Sequence, residues 1–260
     1  MFPTLQLGPI SLQLPGLIVI FGLWLGLTMA ERHSKRFGVD PETLYNLVFI
    51  MLIAGVIGAR LSYVIRYPAA FTTNLLGIFT LNPSLLDPFG GMAVAGITGF
   101  VYGQRKAMAF WPTLDALTPL FAVLLVALPV ANLASGAAFG SPTTLPWGIE
   151  LWGATRHPTQ IYQALVANFI LWLLLVKPRR RKLPPGVLFL QFVALSAGAR
   201  LFLEAFRGDS VVLLGGIRTA QILAWIILAL GLFGLYKRQF PSDTQDTNVV
   251  HDAVNNDSDR

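Results

Sequence analysis

Three charged residues stand in an otherwise apolar run. GARLFLEAFRGD, residues 198–209, carries Arg200, Glu204 and Arg207. Their i, i+4, i+7 spacing predicts one shared helix face. Within a bilayer each unpaired charge costs about 2.5–3.5 kcal/mol on insertion scales. Glu204 is placed to pair with Arg200 or with Arg207, which leaves one net positive charge. Two readings follow from that surplus. One is an internal salt bridge that orients the helix, with snorkelling at its end. The other is an anion site, such as one for a lipid phosphate, because a guanidinium fork matches phosphate oxygens.

Other groups of the same chemical kind lie elsewhere. Arg60 is in GARLSYVIRY, with Tyr63 and Tyr67 following at i+3 and i+7. It reads either as a snorkelling arginine above an aromatic belt or as a second anion ligand. RHPTQIYQ sets Arg156 and His157 before Pro158, a residue suited to the first turn of a helix. Thr159, Gln160 and Tyr162 then enter an apolar segment. The cluster reads as a helix cap with an interfacial tyrosine, or as one side of an outward-facing cavity. Asn132 and Ser135 read first as caps of the segment before that loop. The chain has no cysteine. Disulfides, cysteine-based metal sites and a cysteine nucleophile are therefore excluded, and thiol chemistry requires the substrate's thiol.

The elements that must position these groups are membrane helices. Of the 260 residues, 54% are hydrophobic and 12% charged, against about 25% charged in soluble domains. Seven apolar segments are marked, roughly 14–30, 45–66, 90–104, 113–131, 160–176, 186–205 and 218–236. Most approach the ~20 residues that span a bilayer. The expected fold is an all-α integral membrane protein of about seven transmembrane helices. Residues 1–240 would form one polytopic domain with outer loops 67–89 and 132–159, the first of them an interfacial or re-entrant piece broken at Asn82-Pro83 and Asp87-Pro88. The basic residues alternate between loops: Arg32, Lys35 and Arg36, then Arg66 alone, then Arg105 and Lys106, then Arg156 alone, then KPRRRKLPP, then Lys237 and Arg238. That alternation predicts an outside N-terminus and a cytoplasmic C-terminus. It puts Arg60, Arg200, Arg207, Glu204 and His157 on the outer side, and makes His157 the only outer histidine.

The net charge of +6 comes from the inner belt and suits anionic membrane lipids rather than nucleic acid. A start without a basic n-region or A-x-A site predicts no cleaved signal peptide. Residues 241–260 read as a disordered acidic cytoplasmic tail. Gly96, Gly99 and Gly103 form a small-residue stripe, expected to serve close helix packing. Gly90-Gly91 is where backbone would approach a headgroup. Trp111, Trp147 and Trp152 read as interface anchors. The apolar inner halves of the segments argue against a through-path for a transporter or channel.

In combination these stretches resemble bacterial prolipoprotein diacylglyceryl transferases. GARLSYVIRYP resembles the family's G-[GA]-R-[IL]-x-Y, and GSPTTLPWGI its G-x-P-T-x-L-P-W-G-I loop. RHPTQIYQAL resembles R-H-P-[ST]-Q-L-Y-E, GARLFLEAFRGD resembles R-F-x-[VI]-E-x-[FL]-R-x-x-D, and TAQILAW resembles x-G-Q-[IL]-L-S. The resemblance runs from about residue 15 to 236 in the family's order.

The resemblance implies a bacterial plasma (inner) membrane enzyme of lipoprotein biosynthesis. It would transfer diacylglyceryl from phosphatidylglycerol to the lipobox cysteine thiol of a preprolipoprotein, with glycerol phosphate leaving and no cofactor or metal. Arg200 and His157 are then the catalytic candidates. Arg60, Arg207, Glu204, Asn132, Gln160 and Tyr162 are candidates for lipid-phosphate binding and site scaffold. The chain departs from the family at several polar positions, which here read Pro15, Ala95, Pro129, Ser135, Ala137 and Ser196. Two outcomes stay open: an enzyme resting on the remaining arginines and His157, or an impaired member that binds lipid or lipoprotein on the same scaffold.

Overall fold

The structure is a computed structural model that describes residues 4–7, 10–72, 77–78, 85–176, 183–213 and 218–240. Among the described residues seven α-helices follow one another: α1 Leu14–Ser34, α2 Pro41–Arg66, α3 Pro88–Arg105, α4 Phe110–Ser135, α5 Thr159–Leu171, α6 Val187–Leu203 and α7 Thr219–Gln239. They match the seven apolar segments in order. Five of them, all but α3 and α5, are long and apolar enough to cross a membrane, in keeping with an all-α membrane protein. Two short antiparallel hairpins had no signal in the hydropathy: β1 Thr4–Leu7 with β2 Ile10–Gln13, and β3 Ile149–Leu151 with β4 Ala154–Arg156. The expected tail, 241–260, and part of the expected re-entrant piece lie outside the described residues.

The chain divides into two compact units, Leu27–Leu117 and the remainder, Met1–Gly26 with Thr118–Arg260. In the first, α2 and α3 form a close antiparallel pair. Asp40 starts α2 by accepting from the Thr43 N–H at 2.8 Å, with Pro41 next. Asp87 starts α3 the same way, accepting from Phe89 N–H at 3.2 Å ahead of Pro88. A side-chain carboxylate thus satisfies a donor that the first helical turn leaves free. The Ser62 hydroxyl of α2 also donates to Asp87, at 2.7 Å.

The glycine stripe needs correcting. A Cβ at Gly58 would come within 2.5 Å of Val94 Cβ, and one at Gly91 within 2.8 Å of the Gly55 carbonyl. These are the positions where α2 and α3 touch. Gly99 does abut Met51, but a Cβ on Gly96 or Gly103 would meet nothing within 4 Å. Gly96 and Gly103 instead line a cavity of about 410 Å³ inside this unit. Gly90-Gly91, expected to admit a headgroup, admits Ser62 and Ala59 of α2 instead.

In the second unit α4 continues through Pro119 and Pro129. Gly22 and Gly26 of α1 bring its backbone against Ala127 and Leu120 of α4. α6 and α7 pair with Gly231 of α7 facing Ala194 of α6 and Gly234 facing the Leu190 side chain. Val187, Leu188, Leu190, Ala194, Ala197 and Leu203 of α6 are buried. One face of α6 is thus fixed by packing, and that fixes where Arg200 points. α5 ends in a π-helical turn, Trp172–Val176.

Candidate functional site

The segment after α4 and the segment after α6 are bound to each other through their backbones. Gly140 pairs with Arg207 in a short antiparallel bridge. Ser141 N–H donates to Phe206 O at 2.9 Å, Gly208 N–H to Phe139 O at 2.9 Å, and His157 N–H to Ser141 O at 3.0 Å. This approach is possible only without side chains. A Cβ on Gly140 would sit 2.2 Å from His157 O, and one on Gly208 2.5 Å from Gly140 O.

Residues of the RHPTQIY stretch pin the same loop. Thr159 Oγ1 donates to Ala138 O at 2.9 Å and Gln160 Nε2 to Ala137 O at 2.8 Å, both from fully buried side chains. Arg156 donates to Leu151 O at 2.9 Å and to Gly140 O at 3.3 Å, with its guanidinium 4.9 Å from the centre of the Phe139 ring. These bonds satisfy carbonyls that an irregular loop between helices would otherwise bury unpaired.

α6 ends earlier than its charge spacing suggests. It is regular to Leu203, tightens into a 3₁₀ turn over Glu204–Phe206, and Arg207 is extended. Arg200 Nε pairs with a Glu204 carboxylate oxygen at 3.0 Å, as one of the two expected pairings required. The other did not form. Arg207 leaves the helix face and forks onto Asp209, with Nε–Oδ1 at 2.9 Å and Nη2–Oδ2 at 2.7 Å. The surplus positive charge expected from the stripe is therefore cancelled by Asp209. A different cation replaces it: the Arg218 guanidinium donates to the Glu204 backbone carbonyl, while the Ser210 hydroxyl donates to the Glu204 carboxylate. Glu204 is 1% exposed and stands at the centre of this cluster.

Beside the cluster lies a cavity of about 250 Å³ between α4, α5 and α6. Its walls are apolar: Leu125, Leu128 and Pro129 of α4, Val166 and Ile170 of α5, Leu203 of α6. Arg200 and Arg207 line it too, as do Asn132, Gln163 and Ser196. Arg200 keeps 42% of its side chain exposed there, and Arg207 14%. The arrangement suits an amphipathic ligand with an anionic group against the guanidinium pair and hydrocarbon against the apolar walls.

The remaining candidates divide. Asn132 lines the cavity, while Ser135 caps α4 through Asn132 O and Ala137 N–H. Tyr162 accepts a hydrogen bond from Trp147 Nε1 at 2.8 Å. The His157 ring meets Phe206 edge-on at 5.3 Å and Tyr162 at 6.3 Å, and its buried Nδ1 has no hydrogen-bond partner among the described residues. Arg60 belongs to the other unit. Its three guanidinium nitrogens donate to the carbonyls of Ile78 at 2.8 Å, Leu85 at 2.8 Å and Gly77. That occupation ties Gly77, Ile78 and Leu85 to α2. Sequence reasoning missed Arg218, Asp209 and Ser210, because their partners are brought close only by the extended turn after α6. It also passed over Gln163, one residue past a named cluster.

A family model described as prolipoprotein diacylglyceryl transferase matches residues 3–237. The chain is 28% identical over 218 residues to the phosphatidylglycerol--prolipoprotein diacylglyceryl transferase of Clostridioides difficile, covering 81% of this chain and 84% of that protein. It is 29% identical over 253 residues to the one from Thermosynechococcus vestitus, covering 90% and 91%. It is 30% identical over 218 residues to the one from Finegoldia magna, covering 84% and 87%.

Proposed function

The chain belongs to the prolipoprotein diacylglyceryl transferase family, and from that premise we propose that it transfers diacylglyceryl from phosphatidylglycerol to the lipobox cysteine thiol of a preprolipoprotein. The observation that carries this reading is the apolar cavity between α4, α5 and α6 with Arg200 and Arg207 in its wall. The protein acts in the bacterial plasma membrane with seven crossings, its N-terminus outside and its C-terminus in the cytoplasm. The alternating basic loops support that orientation, which sets the cavity in the outer half of the bilayer.

The substrate's cysteine sulfur attacks the glycerol carbon that bears the phosphate ester. A carbon–sulfur bond forms as the carbon–oxygen bond breaks, and glycerol phosphate leaves. Negative charge grows on the departing oxygen, so a guanidinium fixed beside it lowers the barrier. Arg200 has that role, held in place by Glu204. Glu204 is held in turn by Ser210 and by Arg218. Arg207 contributes charge at the same wall but is partly neutralised by Asp209. His157 takes the thiol proton. Its fixed seat against Phe206, in the loop whose Gly140 pairs with Arg207, supports this. Gln160 and Tyr162 keep the loop that carries His157 in place, and Asn132 adds a polar contact in the cavity.

The test is transfer of labelled diacylglycerol from phosphatidylglycerol to a lipobox peptide by the purified chain. Arg200→Ala should lower the rate about 10²–10³-fold, as loss of one oxyanion contact does, and His157→Ala should lower it as well. No transfer by a well-folded wild type would overturn the enzyme. Transfer unaffected by Arg200→Ala would overturn the mechanism.

A further inference from the structure

The larger cavity, in the Leu27–Leu117 unit, takes no part in the transfer chemistry above. It has a volume of about 410 Å³ and lies between α2, α3 and the first turns of α4. Leu47, Thr113 and Leu117 line it and are buried, whereas Gly96, Phe100, Gln104 and Phe110 line it and are exposed. The cavity is therefore closed behind and open on its outer side. Its lining is apolar apart from Gln104 and Thr113, and the Thr113 hydroxyl is already used on Ala109 O at 2.8 Å. Glycine weakens a helix interior relative to alanine, yet a Cβ on Gly96 or Gly103 would meet nothing within 4 Å. The missing side chains at these two positions widen the cavity rather than admit another helix.

Two cations stand at one end of it. Arg105 is the last residue of α3 and Lys106 follows, both between the lining residues Gln104 and Met108. Ala107 turns the chain with a φ of +50°, and the Met108 N–H donates to Gly103 O at 2.9 Å. That tight turn fixes the two residues at the rim. Both are exposed, and neither forms an ion pair among the described residues. From Arg105 back to Gly96 the helix advances about 14 Å, at roughly 1.5 Å per residue. That is about half of the ~30 Å hydrocarbon core, the depth of one leaflet.

We propose that this cavity holds an acyl chain of an anionic glycerophospholipid whose phosphate meets Arg105 and Lys106, a lipid site that shares no residue with the one at Arg200. Its volume falls within the roughly 300–1,000 Å³ of ligand pockets, and its depth takes a chain of one leaflet with the headgroup left at the rim. The ligand that matches is hydrocarbon for that depth and negative at its end. A zwitterionic lipid brings its own cation against the pair and is disfavoured. So is the other apolar segment that a lipoprotein-modifying enzyme meets, a precursor's leader, whose basic first region the same two cations repel. On the orientation proposed above the leaflet is the cytoplasmic one, whose anionic lipids attract basic residues near the surface. The site does not depend on the transfer reaction.

The experiment uses the full chain in phosphatidylcholine nanodiscs with one of two traces added. One is phosphatidylglycerol with a diazirine midway along an acyl chain, and the other is phosphatidylcholine with the same chains. After illumination, peptide mass spectrometry locates the adducts. In wild type, adducts on Met51, Phe100 or Phe110 should be about five- to twentyfold more abundant with the phosphatidylglycerol probe, the preference expected of two basic residues near the membrane surface. Arg105→Gln with Lys106→Gln should abolish that preference. Gly96→Leu with Gly103→Leu should fill the cavity and remove these adducts, while adducts on Leu128 or Val166 at the other cavity persist. Equal labelling by the two probes in wild type means ordinary surrounding lipid and overturns the site. So does a preference that survives the paired glutamine substitutions. Adducts confined to Leu128, Val166 or Ile170 overturn it while leaving the lipid site at Arg200 standing. Adducts on Met51, Phe100 or Phe110 alone, with the anionic preference, support it and count against the site at Arg200.

Discussion

Arg200 and Arg207 occupy the same cavity wall, yet each has its own carboxylate: Arg200 pairs with Glu204 at 3.0 Å and Arg207 with Asp209 at 2.7 Å. The stripe in the sequence is thus two local pairs on either side of a tightened turn. Only the first pair includes a carboxylate that is almost wholly buried.

Coupling energies should show the separation. A double-mutant cycle between Arg200 and Glu204 should give about 1–3 kcal/mol, and one between Glu204 and Arg207 should fall within about 0.5 kcal/mol of zero. Glu204→Ala should cost several kcal/mol of stability, roughly 3–5, since it removes the ion-pair partner of Arg200 and leaves the Ser210 hydroxyl without its acceptor. Thermal unfolding in detergent measures the three single and two double variants. Strong coupling between Glu204 and Arg207 would restore the single stripe.

The helices were legible in the sequence because apolar length is what a bilayer demands, and all seven appeared near their expected bounds. The ends were not. Arg200 and Glu204 met as predicted because they are one helical turn apart, a local relation that spacing encodes. Arg207 did not stay on their face because the helix changes hand-hold at Glu204, and its partner Asp209 becomes reachable only in the extended chain. Arg218 lies 14 residues from Glu204, and no local periodicity links them. The same reason hid Gly140 and Gly208. Their need for glycine comes from each other's backbone and from His157, not from any turn visible in the sequence.

Gly140→Ala and Gly208→Ala should both break the joint between the two segments. Cβ atoms at 2.2 Å and 2.5 Å from backbone oxygens cannot be relieved by rotating a side chain. Each should cost at least the roughly 1–3 kcal/mol of an overpacked site, and each should displace His157 or Arg207 and depress transfer further than stability. Gly96→Ala is the control. A Cβ there meets nothing within 4 Å, and in a helix interior alanine gains about 0.5–1 kcal/mol over glycine. Unfolding midpoints and transfer rates of the three variants decide it. A Gly140→Ala protein of wild-type stability and activity would show that the segments meet differently.

Asp87 gives a pH dependence with a definite sign. The Ser62 hydroxyl donating to it holds its carboxyl below the usual carboxylate range; partial desolvation opposes this, and the Phe89 N–H and Arg66 add to the lowering. A lowered folded value means the carboxylate stabilises the fold above the unfolded value near 3.8. That contribution is lost as pH falls through the folded value. Stability should therefore decline in acid below about pH 4. Asp87→Asn should flatten part of that decline while lowering stability at neutral pH. Equal acid slopes for the variant and wild type would mean that Asp87 is not linked to folding.

The chain's lack of cysteine makes its orientation directly testable. Any single cysteine introduced is the only thiol present, so no background has to be removed. Gly153 is at the tip of the β3–β4 hairpin, has a φ of +73°, and a side chain there would meet nothing within 4 Å. Cysteine is therefore accommodated at the cost of one left-handed residue, about 1–2 kcal/mol. Arg238 stands in the last turn of α7 beside Lys237, where the basic-loop rule puts the cytoplasm. In intact cells a membrane-impermeant maleimide should label Gly153→Cys, and should label Arg238→Cys only after the membrane is opened. Reporter fusions after Arg181 and after Gln239 should both read cytoplasm. The arginine pair of the cavity lies next to the loop that carries the hairpin, joined to it through Gly140 and Arg207. Labelling of Arg238→Cys in intact cells, or a periplasmic signal from either fusion, would place that cavity on the cytoplasmic side and remove the site proposed for lipoprotein modification.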